Sequence, residues 1–193
     1  ILGGGVSGLN AAQMAVGLRA DVTIYDINND RLAELDTHFG NSIKTAYASK
    51  AAIASAVANA HLVIGAVLVP GAAASKLVTR DMLKTMKRGS VLVDIAIDQG
   101  GCFETSHATT HADPVFIEEG VIHYCVANMP GAVARTSAIA LNNATLPFAI
   151  KLANLGAERA MAADPHLAAG LNVAGGAIRH KAVAEALDLP FEA

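Results

Sequence analysis

Gly3, Gly5 and Gly8 stand in G-x-G-x-x-G spacing inside ILGGGVSGLNAAQMAVGLRADVTIYD, and Asp26 closes that stretch. In this arrangement Gly3 permits a tight turn, Gly5 lets backbone approach a pyrophosphate, and Gly8 allows a helix to pack closely on a strand. The N-terminus of the following helix offers free N–H groups and partial positive charge to phosphates. A carboxylate at Asp26 can accept hydrogen bonds from an adenosine ribose and repels a 2′-phosphate, which favours NAD over NADP. The glycines alone also suit a strand-to-helix turn with no ligand. Strand, helix, strand and terminal acid in that order favour the nucleotide.

Asp98 is the second chemically pointed residue. It closes the apolar run SVLVDIAID (Ser90 to Asp98) with no cation nearby in sequence, ahead of Gly100-Gly101. On strand periodicity Asp94 shares its face and sits deeper, so Asp94 reads as structural and Asp98 as a functional acid handling protons beside a hydride transfer. A loop-capping aspartate is the alternative reading. Cys102, His107, His111, His123 and Cys125 match no standard zinc spacing, and no metal is expected. His123, inside a strand, reads as a hydrogen-bonded core residue. No G-x-S-x-G elbow is present, which leaves a serine hydrolase without support.

These residues need a scaffold that collects them on one edge. Ile1-Leu2 reads as the end of a strand, Leu9 to Leu18 as helix and Val22 to Asp26 as strand. Asn28 or Asp30 caps a helix to Phe39 that Gly40 ends, before a strand at Ile43 to Tyr47 and a helix at Ala51 to Ala60. LVIGAVLV (Leu62 to Val69), stopped by Pro70-Gly71, suits a strand buried on both faces of a parallel sheet. Thr79 caps Arg80 to Met86, Ser90 to Asp98 and Val121 to Ala127 are strands, and Asn128 to Val133 is a turn. Strands alternating with helices imply an α/β fold: a Rossmann-type doubly wound parallel sheet in order 3-2-1-4-5-6. Ligands then bind beyond the carboxyl ends of the strands, at Gly3 to Gly8, Asp26, Val67 to Gly71, Asp98 to Gly101 and Asn128 to Gly131. For any single Gly-Pro turn, strand breaking is an equal alternative. From Thr136 the pattern becomes one long helical stretch with Pro147 as a kink or start, then a loop and a closing helix at Lys181 to Leu187. Residues 1–135 form the nucleotide-binding domain on this reading, and 136–193 form a C-terminal helical segment belonging to another domain.

At 193 residues, 53% hydrophobic and net charge -3, the chain suits one sizeable core with an appendage. Without a basic run it offers nucleic acid no partner surface. No apolar stretch reaches transmembrane length and no signal peptide is recognisable, so no membrane partner is expected. Two cysteines are too few for a disulfide framework, and a cytoplasmic setting is simplest. A first strand of this fold ordinarily has several residues before the first glycine; here there are two, so the expectation is a sequence that starts partway through a larger protein.

The stretches GGGVSGLNAA, YDINNDRL, LVIGAVLVPGA, SKLVTRDML, VLVDIAIDQGGCFETS and VANMPGAVARTS together resemble the alanine dehydrogenase family, most specifically in DIAIDQGGCFE and ANMPGAV. The proton-translocating transhydrogenase NAD domain is a relative that continues differently at AIDQGGCFET. The resemblance implies reversible NAD-linked oxidative deamination of L-alanine to pyruvate and ammonium, in a homo-oligomer, commonly a hexamer. It places Val6 and Ser7 along the pyrophosphate, and Asp26 and Arg31 at the adenosine ribose. Val67, Leu68, Ile95, Ala96, Ile97, Asp98, Val126, Ala127, Asn128 and Met129 line the path from adenine to nicotinamide, with Asp98 a catalytic acid. Ala48 stands where the family often has a serine near adenine, and Ser49 is the candidate substitute. The family's substrate arginine, lysine and catalytic histidine come from an N-terminal segment absent from this sequence, against which the helices after Arg135 pack. Two other readings stay open: a non-catalytic NAD(H)-sensing regulatory domain, and the NAD-binding subunit of a transhydrogenase.

Overall fold

The computed structural model describes residues 1–67 and 76–192. They fall into two compact units, Ile1–Met129 and Pro130–Ala193.

In the first unit the chain enters through Leu2, which bridges in parallel to Tyr25 on one side and Gly65 on the other. It turns at Gly3, whose φ of 99° suits glycine, and runs directly into helix α1 (Val6–Gly17). Strand β1 (Thr23–Asp26) follows, then α2 (Asn29–Phe39), capped by Asn28 Oδ1, which accepts from Asp30 N at 3.0 Å and Arg31 N at 3.1 Å. Beyond Gly40 come β2 (Lys44–Tyr47), α3 (Lys50–Asn59), β3 (Leu62–Gly65), the short α4 (Arg80–Leu83) and β4 (Val91–Asp94). A hairpin of β5 (Val115–Glu118) and β6 (Val121–Tyr124) completes the unit.

The sheet runs β2-β1, then Leu2, then β3-β4-β6-β5, parallel throughout except the antiparallel β5–β6 pair. This is the doubly wound order expected, with one antiparallel edge strand added from the segment around Pro114 to Glu119. Two apolar clusters hold it. Ala12, Leu35, Ile24 and Ile43 join α1 and α2 to β1, while Ile53, Val57, Leu83, Val63, Leu92 and Val121 join α3 and α4 to the other strands. Burying each of Leu2, Ile24, Leu35 and Leu92, all at most 2% exposed, contributes roughly 1.5–3 kcal/mol.

Three strands stop earlier than their apolar runs suggest, β6 ending at Tyr124 rather than Ala127. The run through Asp98 leaves the sheet at Asp94 and tightens into a 3-10 turn, Ile95–Gln99. There the main chain bonds locally, with Gly100 N donating to Ile97 O and Gly101 N to Ala96 O. Hydrophobicity reports burial, and Ala96 and Ile97 are buried in a turn rather than a strand. Likewise β3 ends at Gly65, and the part of its run beyond Val67 lies outside the described residues.

In the second unit α5 (Ala134–Leu155) carries Pro147 internally. Gly156 then breaks the single long helix expected, and α6 (Ala157–Ala163) follows. Asp164 caps α7 (Pro165–Ala169), accepting from His166 N at 2.9 Å, and binds Lys151 Nζ at 2.5 Å. A two-residue-per-strand hairpin, β7 (Val173–Ala174) and β8 (Ala177–Ile178), gives the tail a sheet it was not expected to have; α8 (Lys181–Leu187) closes it. No helix among the described residues is long and apolar enough to cross a membrane.

Candidate functional site

Parallel pairing puts the carboxyl ends of β1, β3, β4 and β6 on one edge of the sheet. The glycine loop leads this edge. A Cβ on Gly8 would overlap Gly3 O, so Gly8 brings α1 against the turn, whereas nothing lies within 4 Å of a Cβ built on Gly5. The loop is thus tight where helix meets strand and open where a phosphate needs access. No side chain caps α1 and no acid sits in its first turn; its leading N–H groups point at this opening. Val6 and Ser7, both exposed, form that first turn.

Asp26 stands beside the loop. Its Oδ2 accepts from Gly4 N at 2.7 Å and its Oδ1 from Asn28 N at 2.9 Å, which fixes the carboxylate plane and leaves lone pairs for further donors. Arg31 Nε donates to Gly4 O at 2.6 Å while Nη1 pairs with Glu34. Gly4 is therefore held from both ends of its peptide, and a Cβ there would meet Leu35 Cδ1 at 2.6 Å. Sequence reasoning passed over Gly4 because it lies between motif positions; the unbroken run of three glycines was the available signal. Ala48 packs partly buried, its N–H donating to Asp26 O at 2.9 Å, and Ser49 Oγ caps α3 by accepting from Ala52 N at 3.2 Å.

At the end of β4 the two aspartates separate sharply. Asp94 is fully buried and accepts from Cys102 N at 2.9 Å, Phe103 N at 3.3 Å and Ser106 Oγ at 2.5 Å. It is structural, as its place in the strand indicated. Asp98 is exposed on the 3-10 turn, with no hydrogen-bond or ion-pair partner for its carboxylate among the described residues. Ile95 is half-buried beside it. Lys76, overlooked in the sequence because it is far along the chain from Asp98, donates to Gly100 O at 2.5 Å and Gly101 O at 2.8 Å. Val67 at the exit of β3 is partly buried against the core, and Leu68 lies outside the described residues.

Beyond β6, Val126 is buried while Ala127 and Asn128 are exposed and Met129 half-buried. Asn128 has φ 56°, a left-handed conformation that asparagine tolerates, and its carbonyl accepts from His111 Nε2 at 2.9 Å. The remaining histidines and cysteines are engaged elsewhere. His123 Nδ1 donates to Val121 O at 3.1 Å and Nε2 meets Thr105 Oγ1 at 2.8 Å; burial holds its pKa below the ordinary histidine value. Phe116 stacks between His107 and His123. Burial pushes both thiols up and the charge of Asp94 adds to it at each, at Cys102 also through a hydrogen bond from its Sγ. Neither is a thiolate nucleophile. Among the described residues no cluster of three or more His, Cys, Asp or Glu could hold a metal. A cavity of about 660 Å³ opens at the opposite edge, lined by residues such as Asp21, Val22, His61 and Leu62 at the strand starts. It is remote from the carboxyl ends, where ligands of such sheets bind.

The sheet order, the glycine turn under an uncapped helix and the acid at the end of β1 define a Rossmann-type α/β domain of the dinucleotide-binding class. More particularly, the chain belongs to the family described as Alanine dehydrogenase/PNT, C-terminal domain, whose model matches residues 1–181. An alanine dehydrogenase of Halomonas elongata is 59% identical over 99% of this chain and 52% of its own length. A solved L-alanine dehydrogenase superposes with TM-score 0.85 at 52% identity, over 97% of this chain and 52% of that one. The transhydrogenase of Sinorhizobium meliloti superposes with TM-score 0.70 at 30% identity, over 94% of this chain and 48% of that one. The chain thus spans about half the length of the relatives it matches.

Proposed function

We propose that this chain is the NAD-binding part of an L-alanine dehydrogenase, which converts L-alanine reversibly to pyruvate and ammonium. The observation that carries the nucleotide half of this reading is Asp26, locked by Gly4 N and Asn28 N beside a glycine loop that is open at Gly5. The alanine half is supported by identity: 59% and 52% to proteins named alanine dehydrogenase, against 30% to the transhydrogenase.

The residues present fit the cofactor. The first turn of α1, with Val6 and Ser7, would hold the pyrophosphate, and Asp26 the adenosine ribose with Arg31 fixing the loop behind it. Ala48 would lie toward adenine; Val67, Ile95, Ala96, Ile97, Val126, Ala127, Asn128 and Met129 would border the path to nicotinamide. When bound, NAD supplies the acceptor for the hydride leaving the alanine Cα. Asp98, exposed on the turn beyond β4 and unpaired among the described residues, acts in proton handling there: it orients water or ribose and exchanges a proton as the imine of the substrate is hydrated. Ala96 and Ile97, buried beneath it, keep water from the underside of the turn.

The helical part, 136–193 on this reading, packs on a substrate-binding domain outside these residues. That is supported by α5, which buries no residue within its unit and exposes Ile139, Leu141, Phe148 and Ile150. The assembly is proposed to be a homo-oligomer, commonly a hexamer in the family, working in the cytoplasm.

The test is alanine-dependent NADH formation by the full-length protein, alongside NADH titration. Turnover with alanine supports the proposal; NADH binding without turnover on alanine would instead identify a sensor.

A further inference from the structure

Lys76 is a charged side chain that the chemistry above does not use, yet it reaches the turn that carries Asp98. Its Nζ donates to Gly100 O at 2.5 Å and to Gly101 O at 2.8 Å. These carbonyls stand at the finish of the turn Ile95–Gln99. Such terminal carbonyls carry partial negative charge and lack donors within the turn, so an ammonium is their natural complement.

Contacts beyond Lys76 extend the same attachment. Leu77 N donates to Cys102 O at 2.7 Å and Glu104 N to Val78 O at 2.9 Å, with Val78 and Phe103 bridged in parallel. From the inner side Asp94 holds Cys102 N and Ser106 Oγ, and a Cβ on Gly101 would meet Asp94 Oδ2 at 2.6 Å. Lys76 thus holds both glycine carbonyls from outside, and the buried Asp94 carboxylate, packed against Gly101, holds the main chain that follows at Cys102 and Phe103. Asp98, two residues upstream of the pair, has no partner for its carboxylate among the described residues, so its position is inherited from that grip.

We propose that Lys76 is a positioning residue for Asp98: through the carbonyls of Gly100 and Gly101 it fixes the turn and thereby where the Asp98 carboxylate stands above the end of β4. The inference rests on Asp98 being the acid of the proposed dehydrogenase. A neutral, non-donating side chain at 76 leaves both carbonyls to water and lets the turn rock about the glycines. Neither the glycine loop nor Asp26 is touched by that change. The loss therefore falls on turnover rather than on nucleotide affinity.

The test is steady-state kinetics with L-alanine and NAD, plus NADH titration, on full-length protein carrying Lys76→Met, Lys76→Arg, Asp98→Asn, or Lys76→Met with Asp98→Asn. Losing a charge-assisted tether should lower kcat about 10-fold in Lys76→Met, with the NADH Kd within about 2-fold. Lys76→Arg, which can donate to both carbonyls, should recover most of the turnover. In the Asp98→Asn background Lys76→Met should cost less than about 2-fold further, because the residue it positions is already disabled. Wild-type kcat in Lys76→Met with a clear defect in Asp98→Asn overturns the positioning role and leaves the acid in place. Equal losses in both backgrounds, or a weakened NADH Kd with unchanged kcat, also overturn it. Normal turnover in Asp98→Asn overturns the role of the acid itself, and the inference with it.

Discussion

At the scale of single residues, the site depends on contrasts between neighbours of the same type. Asp94 and Asp98 are separated by three residues, yet one has its carboxylate filled by main-chain and hydroxyl donors and the other has none among the described residues. A filled buried carboxylate organises structure; an exposed unpaired one beside the cofactor edge is available to water and substrate. In full-length protein Asp98→Asn should therefore lower kcat by about 10²-fold or more while the NADH Kd changes little. Stopped-flow or steady-state turnover on alanine checks this, and a near-normal kcat would remove Asp98 from the chemistry. The burial of Asp94 was legible from its place in an apolar run, but strand periodicity would put Asp98 on the same face of one strand, whereas Asp98 lies beyond β4 on the 3-10 turn. Lys76 was not legible, since its partners Gly100 and Gly101 are more than twenty positions away, and Gly4, whose partners Asp26 and Arg31 are as distant, was signalled only by the run of three glycines.

At the scale of elements, α2 shows how a local signal serves the site. Asn28 caps the helix with its side chain and, through its own N–H, holds Asp26 Oδ1. Asn28→Ala should cost about 1 kcal/mol of stability, the usual value of an N-cap, while Asp26 keeps its main-chain donors. Urea unfolding measures the first part; a variant as stable as wild type would show the cap to be dispensable. Caps and glycine turns such as Asn28, Thr79 and Gly3 were readable because their chemistry is local. The 3-10 turn at Ile95–Gln99 was not, because IAI is apolar whether it lies in a strand or a buried turn. The break at Gly156 and the small hairpin from Val173 to Ile178 were missed for a related reason: alanine-rich sequence has little periodicity to lose.

At the scale of the whole molecule, the doubly wound order was foreseeable from alternating strands and helices, and the antiparallel edge strand β5 was the addition. Beside that edge strand, on β6, His123 gives stability a pH dependence. Burial of His123 holds its folded pKa below the ordinary 6.5, against the hydrogen bond to Val121 O, which raises it. A lowered folded pKa means that the unfolded chain binds the proton more readily, so stability is complete above the unfolded value and declines as pH falls below it. Glu118 opposes this shift and His107 reinforces it. The urea midpoint should accordingly drop as pH is lowered from about 6.5, and His123→Gln should flatten that slope; an unchanged slope would place the response elsewhere.

The central claim is that a dinucleotide lies over the glycine loop with its ribose on Asp26. Calorimetric titration of the full-length protein and its Asp26→Ala variant with NADH and NADPH tests this most directly. The account predicts that wild type prefers NADH and that Asp26→Ala loses much of that preference. An identical preference in both proteins, or no NADH binding by wild type, would contradict it.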